Sequence, residues 1–81
     1  MRSMVYCNLK ENTETTVTYM YGATIYDITG ELVFHFHEDI IEIVTPPKKA
    51  EVYIKYIKRL YGKQRENFKN GIFKEKISYE I

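Results

Sequence analysis

The two histidines of the chain lie two residues apart, in the segment FHFHEDII at residues 34–41. On a β-strand, side chains two residues apart project from the same face, so His35 and His37 could offer two imidazole nitrogens to one metal ion. A zinc site needs at least one further protein ligand. The sequence leaves four candidates for it, namely Cys7, Glu38, Asp39 and Glu42. Because two ligands make a weak motif, we predict no metal and no cofactor, and keep His35 and His37 as the candidate ligands.

The same alternation supports a second interpretation of the histidines. If Phe34 and Phe36 face the core of the protein, then Val33, His35 and His37 face the other side of the sheet. These three residues would then form a sheet-face interface with another subunit. Histidine changes its charge near neutral pH, so such an interface would be sensitive to pH.

Enzymatic chemistry has little support in the residues. A histidine that acts as acid or base needs an oriented partner and a pocket, and neither a nucleophile elbow nor a Cys–His arrangement is legible. Cys7, the single cysteine, alternates with apolar residues and is interpreted as a small buried side chain. We therefore predict that the protein is not an enzyme.

Alternating apolar residues predict several strands that would position these side chains. Residues 4–9 and 16–25 alternate at period two, and the latter segment is rich in β-branched and aromatic residues. Asp27-Ile28-Thr29-Gly30 is a tight-turn signal that should return the chain into a strand from Glu31 to His37. Residues 39–44 form a fourth short strand or a continuation past a bulge, and residues 72–81 form a last strand.

The region after Pro46-Pro47 carries the strongest helical pattern. An apolar stripe at helical spacing comprises Ala50, Tyr53, Ile54, Ile57, Leu60, Tyr61 and Phe68. It predicts a helix from about Pro47 to about Lys69, stopped by Asn70-Gly71. The fold class is therefore α+β: a single domain over residues 1–81 with a four- to five-stranded, mostly antiparallel sheet and one long helix, in the order β-β-β-(β)-α-β.

The polar side of this helix offers a second candidate surface. Lys55, Arg59 and Lys63 lie away from the apolar stripe, together with Val52 and Tyr56. A mixed aromatic and basic surface would suit an acidic protein or a phosphate backbone. Charge also divides along the chain, since residues 1–45 hold two cations and seven anions whereas residues 46–81 hold ten cations and four anions. Such asymmetry is typical of proteins with a charged partner, or of halves that neutralise each other in the fold.

The remaining features favour a soluble, cytoplasmic protein without a membrane partner. The first residues lack the apolar stretch of a secretory signal, and the single cysteine excludes an internal disulfide. We predict a small interaction module that self-associates or binds another protein through an uncovered sheet face. The alternatives are a nucleic-acid-binding protein that uses the basic helix face and a metal-dependent activity at the His-x-His strand. The short length and biased composition also suit an accessory protein of a phage or mobile element.

Overall fold

A computed structural model describes residues 2–81 of the chain. Its elements are β1 (Ser3–Asn12), β2 (Thr16–Gly22), β3 (Gly30–His35), β4 (Ile40–Thr45), α1 (Ile54–Lys69) and β5 (Lys76–Glu80). The five strands form one sheet in the spatial order β4-β3-β2-β1-β5, and every neighbouring pair is antiparallel. The predicted α+β fold with one helix is confirmed, and the uncertain fourth strand is a separate strand.

The core lies between one face of the sheet and α1. Val17, Tyr19 and Tyr21 on β2 are buried, as are Leu32 and Phe34 on β3. The aromatic rings interlock with the helix, since the Phe34 ring centroid lies 5.2 Å from that of Tyr61 and 5.6 Å from that of Phe68. The alternation of apolar residues thus identified the core-facing side of β3 correctly.

The connection between β2 and β3 is longer than the expected tight turn. β2 ends at Gly22, and seven residues, 23–29, separate it from β3. A Cβ at Gly22 would lie 1.8 Å from the carbonyl oxygen of Asp27, so only glycine allows this loop to fold back on the strand. Ile25 is consequently exposed, although its spacing placed it with the buried side chains of β2.

The helix begins at Ile54, seven residues later than the sequence predicts. The segment before it is irregular, and its backbone amides are bound elsewhere. The Asp27 carboxylate accepts hydrogen bonds from the amides of Lys49 and Ala50 at 2.9 and 3.2 Å, and the Thr29 hydroxyl accepts one from the amide of Lys48 at 2.9 Å. These contacts, the Asp27 cluster, connect residues about twenty positions apart in sequence and outweigh the local preference for a helical turn.

The end of the helix agrees with the prediction. The amide of Gly71 donates to the carbonyl of Phe68, and the amide of Ile72 donates to the carbonyl of Asn67. With Gly71 at φ 75°, these bonds form a Schellman motif. Gly62 lies within α1, as the phase of the buried Phe68 indicated.

Candidate interaction surfaces

The two histidines do not share a strand face. β3 ends at His35, so the predicted strand to His37 is two residues too long, and His37 belongs to the turn at residues 36–39. His35 Nε2 donates to the Glu42 carboxylate on β4 at 2.8 Å, on the sheet face opposite α1. His37 is exposed and borders a cavity of about 420 Å³ together with Phe36, Phe68 and Phe73. Of the predicted sheet-face residues, Val33 and His35 therefore lie together and His37 lies apart.

Glu42 contacts His35, but the candidate metal ligands do not form a larger group among the described residues. Within residues 2–81, no group of three or more His, Cys, Asp and Glu side chains could hold a metal ion. Cys7 is 1% exposed, and its burial raises the pKa of the thiol to about 12. A thiol with so high a pKa stays protonated near neutral pH and is a poor ligand and nucleophile.

Asp39 fixes the β3–β4 turn to the helix. Its carboxylate accepts hydrogen bonds from Arg65 Nε at 2.6 Å, Arg65 Nη2 at 3.0 Å and the Tyr61 hydroxyl at 2.7 Å. We call these three residues the Asp39 cluster. The bonds from Arg65 and then Tyr61 hold the pKa of Asp39 well below its usual range. Burial, followed by the bond to Asp39, raises the pKa of Tyr61 to about 12.

Each of the two aspartates accepts three hydrogen bonds from other residues of the fold. Burial acts to raise the pKa of Asp27, but the Lys49 amide, the Thr29 hydroxyl and the Ala50 amide together lower it. Asp39 has φ 57°, a left-handed conformation that aspartate tolerates better than most residues. Sequence reasoning missed both clusters because their partners lie far away in the chain.

The β4 edge is the most apolar exposed element of the sheet. Ile40, Ile43 and Val44 are 49%, 40% and 48% exposed. The one charged residue of this strand, Glu42, contacts His35 on β3. Ile43 also borders a groove whose lining includes Pro47, Val52 and Ile54. Val52 therefore packs on this side of the helix and lies away from the basic residues with which it was grouped.

Three of the predicted helix-surface residues meet at the start of α1. Lys55 Nζ lies 5.1 Å from the Tyr56 ring centroid, and the Arg59 guanidinium carbon lies 5.9 Å from it. Lys63 Nζ lies instead 5.1 Å from the ring centroid of Tyr79 on β5, which stacks on Tyr56 at 6.0 Å. Sequence reasoning missed Tyr79, although the period-two pattern of β5 placed it on the side that α1 covers. It also assigned Tyr53 to the buried stripe, whereas 59% of this residue is exposed.

No helix within residues 2–81 is long and apolar enough to cross a membrane. Comparison of the chain with protein-family models, curated proteins and solved structures found no match.

Proposed function

We propose that the protein is a non-enzymatic interaction module that self-associates by pairing the β4 edge with a second copy. The observation that carries this proposal is the exposure of Ile40, Ile43 and Val44 on an edge strand that has a single charged residue. An edge strand presents unpaired backbone donors and acceptors, and an apolar edge with few charges and no proline readily pairs with another strand.

The opposite edge of the same sheet provides the contrast. β5 has the sequence KISYE, in which Lys76 and Glu80 are exposed charges at its two ends. Charged side chains on edge strands are a common protection against pairing. The β5 edge is thus protected by charges, whereas the β4 edge is apolar. This difference favours β4 as the edge that associates with a second copy.

The surroundings of β4 add apolar area on the helix side. Ile43 and Ile54 border the same groove, and both are at least 40% exposed. Stable complexes bury about 800 Å² on each partner, more than a short strand contributes by its backbone alone. Ile40 and Val44 extend the contact on the other side of the strand, so a second copy would cover apolar side chains on both faces of the β4 edge.

Sedimentation velocity from micromolar to millimolar protein tests this proposal. We expect the wild type to dimerise and the double variant Ile40→Lys, Val44→Lys to remain monomeric, because lysines oppose edge pairing. The matched control is Ile25→Lys, Ile72→Lys, which makes the same charge change at side chains 59% and 49% exposed and away from β4. Circular dichroism verifies that each variant is folded. The proposal would be overturned if the wild type were monomeric at millimolar concentration. It would also be overturned if the control variant lost dimerisation as completely as Ile40→Lys, Val44→Lys does.

A further inference from the structure

Three tyrosines form a surface row where the start of α1 crosses β5. The ring centroids of Tyr53 and Tyr56 lie 6.2 Å apart in an edge arrangement, and those of Tyr56 and Tyr79 lie 6.0 Å apart and stacked. Tyr53 is largely exposed, and the other two rings are half-buried. The row therefore combines one accessible ring with two rings held in place by packing against the core.

Cations accompany these rings along one face of the helix. Lys55, Arg59 and Lys63 are spaced four residues apart, which places them one above another. Each lies within 6 Å of a tyrosine ring centroid. We call the combined set the tyrosine–cation row, comprising Tyr53, Tyr56, Tyr79, Lys55, Arg59 and Lys63.

The charges of the row are not neutralised by carboxylates. The ion pairs found within residues 2–81 are Lys10–Glu31, Arg65–Asp39 and, when the histidine is protonated, His35–Glu42, and none of them includes a cation of the row. α1 carries six cations and one anion, Glu66, and thus has a net charge of +5. A phosphate chain would therefore meet uncompensated positive charge beside aromatic rings.

We propose that the tyrosine–cation row binds a short segment of single-stranded nucleic acid. Proteins that bind single strands combine cations for the phosphates with aromatic rings on which bases stack, and the row has both. A duplex fits less well, because specific duplex binders often contact about 6–10 phosphates and the row offers three cations.

An adjacent groove extends the aromatic surface. It has a volume of about 750 Å³, and its lining includes Arg2, Tyr6 and Tyr26 in addition to Tyr53 and Tyr56. Tyr26 is 85% exposed, the most exposed of the large hydrophobic side chains. The groove gives a single strand a path beyond the helix, and Arg2 supplies a further cation. Glu51 is the one carboxylate in this lining, and its charge limits the path to a short segment of the strand.

Fluorescence anisotropy with labelled single-stranded DNA, single-stranded RNA and the matching DNA duplex, each measured across salt concentrations, tests the proposal. We expect the wild type to bind single strands more tightly than the duplex. For three phosphate contacts, the logarithm of the association constant should fall by about 2 per decade of salt, since each contact contributes about 0.7. Comparison of the affinities for single-stranded DNA and single-stranded RNA shows which of the two nucleic acids the row prefers.

Two variants separate charge from stacking. Lys55→Gln, Arg59→Gln, Lys63→Gln should abolish most of the salt dependence, and Tyr53→Leu should weaken binding about tenfold by removing the exposed ring. The control Lys48→Gln, Lys69→Gln, Lys74→Gln removes the same charge at exposed sites outside the row and should retain most of the affinity. Absence of wild-type binding at low salt, equal or tighter duplex binding, or an equal loss in the control would overturn the proposal. Because β5 and β4 are opposite edges of the sheet, this proposal and the self-association can fail separately.

Discussion

At the scale of single residues, Asp39 shows how strongly the contacts of a side chain depend on parts of the chain far from it in sequence. Beside two histidines, it was a candidate metal ligand. In the structure its carboxylate accepts three hydrogen bonds from Arg65 and Tyr61, which attach the β3–β4 turn to α1. The identity of the partners depends on where the helix packs, and the local sequence carries no information about that packing.

Because the pKa of Asp39 is lowered in the folded protein, the free energy of unfolding should depend on pH in the acidic range. The free carboxyl has a pKa near 3.9 in an unfolded chain, and the folded value is lower. The contribution of the Asp39 cluster is therefore complete above the unfolded pKa and is lost as the pH falls through the folded pKa. We expect Asp39→Asn to be less stable than the wild type at neutral pH, and the difference to shrink as the pH falls from about 5 toward 2.

Urea unfolding followed by circular dichroism at several pH values measures this difference. Glu38→Gln is the matched control, since it removes the neighbouring exposed carboxylate and leaves the Asp39 cluster intact. Its stability should follow that of the wild type at every pH. A constant difference between Asp39→Asn and the wild type across the acidic range would contradict the role assigned to ionised Asp39.

At the scale of elements, Gly62 within α1 and Gly71 just after its end should respond in opposite directions to one substitution. Gly62 lies within the helix, and a Cβ there would meet nothing within 4 Å. Gly62→Ala should raise the free energy of unfolding by roughly 0.5–1 kcal/mol, because alanine favours helix more than glycine does. Gly71 has φ 75°, so Gly71→Ala should lower the free energy of unfolding by about 1–2 kcal/mol.

Each variant serves as the control for the other in urea unfolding, because the chemical change is identical and only the backbone conformation differs. If Gly71→Ala left the free energy of unfolding unchanged, this result would contradict the requirement for a left-handed conformation at residue 71. A destabilised Gly62→Ala would indicate that this exposed helix face contacts another part of the protein.

The elements also show which parts of the fold could be predicted from the sequence. The strands, the end of α1 and the core-facing residues follow from periodicity and from local end signals such as Asn70-Gly71. The start of α1 does not, because Asp27 and Thr29 bind the amides of residues 48–50 from across the chain. Likewise, Lys55, Tyr56 and Arg59 could be grouped by helical spacing, whereas the contact with Tyr79 depends on how α1 docks on β5.

At the scale of the whole molecule, few ion pairs connect side chains of the acidic half of the chain with side chains of the basic half. Among the ion pairs within residues 2–81, only Arg65–Asp39 connects the two halves, and Lys10–Glu31 lies within the acidic one, as does the contact between His35 and Glu42. Residues 1–45 therefore carry seven of the eleven anions, and α1 carries six of the twelve cations. Because of this separation, the acidic half of the chain would repel phosphate groups, whereas the surface of α1 would attract them.

The single thiol, buried on β1, should report the unfolding of the whole molecule. Cys7 lies on β1 between β2 and β5, its side chain is 1% exposed, and burial raises its pKa to about 12. A thiol reagent should therefore react with Cys7 only when the sheet opens. Addition of denaturing urea should make the reaction rapid.

When reclosing is faster than labelling, the labelling rate is proportional to the population of the open state. Gly71→Ala should then label roughly 5- to 30-fold faster than the wild type, as expected for a loss of 1–2 kcal/mol. Gly62→Ala should label more slowly than the wild type. Rates that are equal in all three proteins would show that Cys7 becomes accessible by a local opening of β1 or β5, which the helix end does not influence.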